Sequence, residues 1–237
     1  MQYLNREKHT EKEFLQKGKH FAFKLRKLYL KDPEKFYDLQ DYYPFPVYIN
    51  HRKTIEYHFI NEKFLGMGRE VEPIVRNGKD YLLRVSNVPL FNRAMEKART
   101  LDKNNDHQAV CNYLQAIRLN NEKEEPFVTS KILIDDALTM NVPLLFTGED
   151  SFSQAFKEIL PSNKQELQQF LRFQTLTKRE KQITRLIGQG HSSKQIAEML
   201  FISPHSVKTH RKNIYQKLDV HNVSTLLKLN LVNDLAG

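Results

Sequence analysis

The chain carries a single cysteine among 237 residues, has no internal repeat or low-complexity tract, and contains no long apolar run. Each absence closes off a class. One cysteine forms no internal disulfide, and Cys111 has no Cys or His at metal-ligand spacing, so it reads as a small, semi-buried residue. Without about 18 consecutive apolar residues, no membrane-spanning helix is expected. Met1 to Lys19 are polar and charged and lack an apolar signal-peptide core, so a cytoplasmic location is expected.

Catalytic and metal constellations are also missing. Gly66-Met67-Gly68 is followed by neither a third glycine nor Lys-Ser/Thr, so it is no phosphate loop. Asp135-Asp136 reads as a solvated turn rather than a metal pair. His51 and His58 lie seven residues apart on expected strands, hence on opposite faces, which argues against a shared metal. No convergent catalytic set stands in the first 160 residues. The protein is expected to be no enzyme and to use no metal or cofactor.

What is present is charge, unevenly spread. The net charge is +9, from 37 Lys/Arg and 28 Asp/Glu. Residues 171–237 hold 11 basic and 4 acidic side chains, while the first 170 hold 26 and 24. A basic excess confined to the last quarter of a chain is the electrostatic footprint of a polyanion binder, although a basic face can also be merely solvated.

The first 160 residues mix both kinds of period. Glu11 to Leu30 is expected to be helical, with Phe14, Leu15, Phe21, Leu25, Leu28 and Tyr29 at helical spacing, until Lys31-Asp32-Pro33 interrupts it. Pro44 to Ile49 and Thr54 to Ile60 are β-rich runs, with Asn50 to Lys53 as a hairpin turn. Tyr81 to Val88 is another strand candidate, and Phe91 to Asn120 reads as mainly helical, broken near Asp102 to Asp106. Phe127 to Ile134 and Leu138 to Phe146 are β-like, and Phe152 to Leu160 returns to helix. The domain reading is a helical extension over 1–40, an α+β domain over 41–160, a connector helix or linker over 161–175, and an all-helical unit over 176–237.

In that last unit every helix has its own start signal. Thr177-Lys178-Arg179-Glu180 fits a capping box, and Gly190 stands where a left-handed residue ends the helix. Ser192-Ser193-Lys194-Gln195 opens a short second helix, with Ile196, Ala197, Met199 and Leu200 expected inward. Ser203-Pro204 opens the third, and Asp219 to Asn222 separates it from a fourth ending near Asn233. On the third helix Val207, Ile214 and Leu218 share one line, flanked by His210 and the stem of Arg211. Opposite them lie His205, Lys208, Thr209, Lys212 and Gln216, with no acid. Such a face suits the DNA major groove: cations meet phosphates or guanine edges, and Thr and Gln meet base edges. A short helix, a tight turn and a longer reading helix make a helix-turn-helix unit. His210 reads as a packed histidine, while Arg211 is open to clamping either a phosphate or an acidic side chain.

Leu176-Thr177-Lys178-Arg179-Glu180, Gly190 to Ala197, Ser203 to His210 and Asn213 to Leu218 closely resemble, in order, the LuxR/GerE-type DNA-binding domain. The resemblance implies groove contacts from Lys208, Thr209 and Lys212. It also implies phosphate contacts near Ser193, Lys194, Ser203 and His205. Ser206 stands where the family commonly has threonine, which keeps the hydroxyl. Dimerisation through the last helix, by Val223, Leu226, Leu227 and Asn230, is implied as well. There Val223, Leu226, Leu227 and Leu231 share a face, Asn230 lies beside it and Leu229 lies off it; packing on the N-terminal domain is the other use for this stripe.

Pro46 to Ile49, Ile55 to Asn61 and Lys63 to Gly66 resemble the opening of a PAS domain: two strands, an Asn and a helical turn ending in Gly. This implies an antiparallel sheet with helices and a pocket for a small-molecule or protein effector. The order of elements is not the alternating βα of a phosphoacceptor receiver. The expected function is a sequence-specific, DNA-binding transcription regulator, a homodimer on double-stranded DNA, responsive through its N-terminal domain. The alternative is a sigma-factor-like protein recruiting RNA polymerase, which would need a helical polymerase-binding domain where residues 40–160 read as β-containing.

Overall fold

The computed structural model describes residues 11–120, 123–145, 154 and 157–236, and the chain divides into two units, Met1–Leu145 and Phe146–Gly237. The first has the expected α+β architecture, an antiparallel sheet with helices. Its elements are α1 (Glu11–Lys31), α2 (Pro33–Asp38), β1 (Tyr48–His51), β2 (Tyr57–Ile60), α3 (Glu62–Leu65), α4 (Val71–Val85), α5 (Val88–Asn104), β3 (Cys111–Ile117), β4 (Glu125–Leu133) and β5 (Leu138–Leu144). The strands form one antiparallel sheet in the order β2-β1-β5-β4-β3.

Asn61 ties the opening of this unit together. Its Oδ1 accepts from Val47 N at 2.9 Å and Phe64 N at 3.1 Å, and its Nδ2 donates to Phe45 O at 3.1 Å. One buried amide therefore both closes the β1–β2 hairpin and caps α3, which ends at Gly66 as expected. The expected hairpin turn lies too early. Asn50 and His51 belong to β1, because Tyr48–His51 pair continuously with Asn141–Leu138 of β5, although the register with β2 shifts between Ile49 and Asn50. The chain turns over 52–56 instead, where Ile55 takes φ 64.

Two further expectations give way to packing. Tyr81–Val85 is helical, not strand, and only Ser86 makes an isolated bridge, to Ile117. Val71, Ile74 and Val85 place that helix on an apolar cluster with Phe64, Leu119 and Phe127, so helical period overrides β-propensity. Gly78, at φ 65 and ψ −146, kinks α4, a conformation a side chain would resist. Cys111–Ile117, read as helix, is the edge strand β3, paired along its whole length with β4. Lys31-Asp32-Pro33 does interrupt α1, but it also starts a helix: Asp32 accepts from Lys35 N at 3.1 Å and Pro33 takes the first turn. Of the helix expected over Phe152–Leu160, residues 154 and 157–159 are helical and 152, 153, 155 and 156 lie outside the described residues, as do Phe146 and the side chains of Phe14 and Leu15.

The sheet has two unlike faces. Residues directly opposite in an antiparallel pair share a face. Ile49, Met140 and Ile132 lie in one such row and are fully buried, with Val142 beside them. Helices α1 and α2 cover this side: Ala22 and Leu25 are buried, and Phe36 meets Phe59 with ring centroids 4.9 Å apart. The helix assigned to an extension thus packs on the sheet. The other face carries Tyr48, Asn141 and Lys131 in one row and Asn50 and Thr139 in the next. It lies under α4 and α5, yet it is polar.

The second unit contains α6 (Lys164–Gln174), α7 (Lys178–Gly188), α8 (Ser193–Leu200), α9 (Pro204–Leu218) and α10 (Val223–Ala236). The segment read as a connector, α6, packs against α9 and α10 and buries Phe170 and Phe173 almost completely. Arg172 pairs with Asp219 at 3.2 Å, Lys228 with Glu166 at 2.7 Å, and Gln169 donates to Asp219 O at 2.8 Å.

Candidate nucleic-acid interface

Local sequence chemistry positions α9. Ser203 Oγ accepts from Ser206 N at 3.0 Å, and Pro204 takes the first turn, where a backbone N–H would have no partner. Val207, Ile214 and Leu218 are fully buried and anchor the helix against α7 and α8. A turn of three residues joins α8 to α9, with Phe201 left-handed at φ 53 and its ring 95% exposed. Arg179 reaches from α7 to Leu200 O at 2.9 Å and holds the end of α8.

The capping box at Thr177 is formed: Thr177 N donates to Glu180 Oε2 at 2.9 Å and Glu180 N to Thr177 Oγ1 at 3.2 Å. Glu180 also accepts from Lys217 Nζ at 2.6 Å, which clamps the start of α7 to the last turn of α9. Burial pushes the Glu180 carboxyl up, but these hydrogen bonds and the Lys217 charge outweigh it and hold it below its ordinary value. Gly190 takes φ 86, and Ser192 with Gln195 forms a second capping box.

The face opposite the core is as expected. His205, Lys208, Thr209, Lys212 and Gln216 are all exposed, and α9 contains no acidic side chain. Lys194, Lys208 and Lys212 make no hydrogen bond or ion pair with any described residue. Lys194 and Ser193 open α8, and Ser203 and His205 cap and open α9, so each helix starts with backbone N–H groups that have no intrahelical partner. Two hydroxyls are already engaged: Thr209 donates to His205 O at 3.2 Å, and Ser206 Oγ lies 2.9 Å from Ser203 Oγ. Arg211 and His210 are half-buried.

Other expectations need correction. Met199, expected inward, is 50% exposed, because Ile196, Ala197 and Leu200 fill the inner face of α8. In α10, Leu226 is fully buried, and Asn230 is buried with its Nδ2 donating to Thr184 O at 3.1 Å. Both face their own unit's core, with Leu229, Val232 and Leu235, because the inner stripe of α10 is rotated from the one read off the sequence. Of the four residues assigned to dimerisation, only Val223 and Leu227 remain exposed, at 40% and 36%.

The cavity under α4 and α5 was not foreseen residue by residue. Asn50 of β1 and Lys131 of β4 line it, and polar residues two apart in β4, Thr129 and Lys131, were the available signal. Among the described residues, no group of three His, Cys, Asp or Glu side chains is placed to hold a metal.

Residues 174–229 match the family described as GerE, bacterial regulatory proteins, luxR family. The uncharacterized response regulatory protein YgeK of Escherichia coli K12 is 49% identical over 53 residues, 22% of this chain and 36% of that protein. The nitrate/nitrite response regulator protein homolog of Haemophilus influenzae is 37% identical over 87 residues, 37% of this chain and 40% of that one. The chain thus spans well under half the length of these curated relatives. Among solved structures, a phage VqmA–DPO complex aligns over 87% of this chain and 90% of its own, at 17% identity and a TM-score of 0.38. Capped, glycine-terminated and ordered as the residues themselves require, the segment 174–229 is a helix-turn-helix domain of the luxR family of bacterial regulatory proteins.

Proposed function

We propose that the protein is a sequence-specific DNA-binding transcription regulator, with α9 as the element that enters the major groove. One observation carries this reading: a luxR-family domain whose longest inner helix exposes Lys208 and Lys212 with no partner among the described residues and no acid on that helix. Lys208, Thr209 and Lys212 contact base edges and nearby phosphates. Lys194, His205 and the N-termini of α8 and α9, with Ser193, Ser203 and Ser206, hold phosphates, and Arg211 joins them from the edge of the face. The work is non-catalytic: cations displace counterions, so affinity falls steeply with salt.

Two copies pair through Val223 and Leu227 on α10 and read two half-sites, about one helical turn apart on the duplex. The N-terminal unit receives a signal and sets the availability of the reading helices. No described helix is long and apolar enough to cross a membrane, and the target is DNA in the cytoplasm.

The test uses a duplex selected from a random-sequence pool by the full-length protein. Lys208→Ala with Lys212→Ala weakens binding by at least about tenfold and lowers the salt slope by about 2, while the helical signal and thermal midpoint stay unchanged. Equal affinity and equal slope in a folded double variant remove the assigned reading face.

A further inference from the structure

The polar face of the N-terminal sheet borders a cavity of about 340 Å³ beneath α4 and α5, within the size range of small-molecule sites. Phe91 and Met95 of α5, with Leu82 of α4, form an apolar wall, and Asn50 and Lys131 stand on the sheet side. Lys131 is 9% exposed, and the one hydrogen bond its ammonium makes among the described residues goes to Thr139 Oγ1 at 3.2 Å. An ammonium has three protons to donate, and a buried one without a counter-charge is costly. The acid lining the cavity is Asp102, and Arg52 engages it at 3.0 Å.

The rest of the polar layer is incompletely satisfied too. Asn141 Nδ2 and Thr139 Oγ1 both converge on Asn50 Oδ1, at 2.7 and 2.9 Å, but the buried Asn141 Oδ1 accepts no hydrogen bond from any described residue. Lys53, Lys79 and Arg99 of the lining are exposed, so among the described residues five cations and one acid line this space. Such a field draws in anions and repels cations.

We propose that this cavity binds a small organic monoanion, an ionised carboxylate or enol on an apolar body, whose charge is neutralised by Lys131 and whose body lies against Phe91, Met95 and Leu82. The surrounding Tyr48, Tyr57 and Tyr113 supply neutral hydroxyls, since burial holds all three well above the ordinary tyrosine range. This deepens the reading of the N-terminal unit as a sensor and rests on it.

The test uses benzoate and hexanoate against their neutral amides, benzamide and hexanamide, with full-length protein and saturation-transfer NMR. At least one anion binds at or below about 10 mM, and at least tenfold more tightly than its amide. Lys131→Met abolishes that preference while the protein keeps its helical signal, and Lys131→Arg retains it. No binding of either anion, equal binding of the amides, or an unchanged preference in Lys131→Met overturns the assignment and leaves a water-filled cavity. Affinity for the selected duplex is measured alongside: an anion that binds without changing it upholds the site but removes the sensing role, whereas loss of duplex binding by the ligand-free protein concerns α9 alone.

Discussion

The two units place their cations in opposite environments. In the C-terminal unit, Lys208 and Lys212 stand in water on a helix whose inner stripe is fully buried. In the N-terminal unit, Lys131 lies on a sheet face roofed by helices, with a hydroxyl as its partner. An exposed cation costs its own fold almost nothing and is available to a polyanion at long range. A buried one strains its fold until a small counter-charge arrives. The difference shows that the basic excess of a chain reports only the first kind: Lys131 sits in the part of the sequence where basic and acidic residues nearly balance.

The largest effect that would break this contrast is structural. Ile214→Ala removes a fully buried anchor of α9 and is expected to cost about 3 kcal/mol. Calorimetry should show the C-terminal transition shifted down and duplex binding lost, with the N-terminal transition in place. A single shifted transition for the whole chain would mean that the units do not melt separately.

Next is Glu180→Ala, which removes both the capping box of α7 and the clamp to Lys217, at about 2 kcal/mol. Because the folded carboxyl lies below its ordinary value, its contribution is present above about 4.5 and is lost as pH falls through the folded value. Glu166 behaves alike: burial raises its carboxyl, but Lys228 and Ser162 more than reverse the shift. Denaturant melts at pH 3 to 6 should therefore show the parent losing stability with acid and the variant losing less.

The effect that is smallest at neutral pH sharpens the contrast at the other end of the pH scale. Burial pushes the Lys131 ammonium down to about 8, against the partial opposition of Asp102 and Cys111 and with a small contribution from Arg52. The folded state then holds fewer protons than the unfolded one between about 8 and the ordinary lysine value of 10.5, so stability rises with pH across that window. Cys111, facing Lys131 across β3 and β4 and near Lys97, is raised by burial and works against the rise above its ordinary value of 9.0. The buried tyrosines do the same above 10.0. The difference between the parent and Lys131→Met isolates the lysine: it should grow in the parent's favour by up to about 1.4 kcal/mol per pH unit above 8. A flat difference would put Lys131 in contact with water.

How legible each region was follows from the range of the forces that build it. Thr177 with Glu180, Ser192 with Gln195, and Ser203 with Pro204 act within one helical turn, so their meaning is complete in a few adjacent residues. The exposed face of α9 follows from periodicity alone. Met199 and the stripe of α10 were misread because the direction a helix turns depends on which neighbours it meets.

Strand β3 and the second half of α4 were misread for the same reason, since partners such as β4 and Leu119 are remote in sequence. From its residues alone this chain settles the order of its C-terminal helices, their caps and the cationic side of α9, because those depend on hydrogen bonds and spacing within a turn or two. The roofed polar layer around Lys131, and the inward turn of Leu226 and Asn230, come into being only when distant strands and helices are brought into register. Burial and dielectric are properties of the assembled neighbourhood, and no short stretch of sequence carries them.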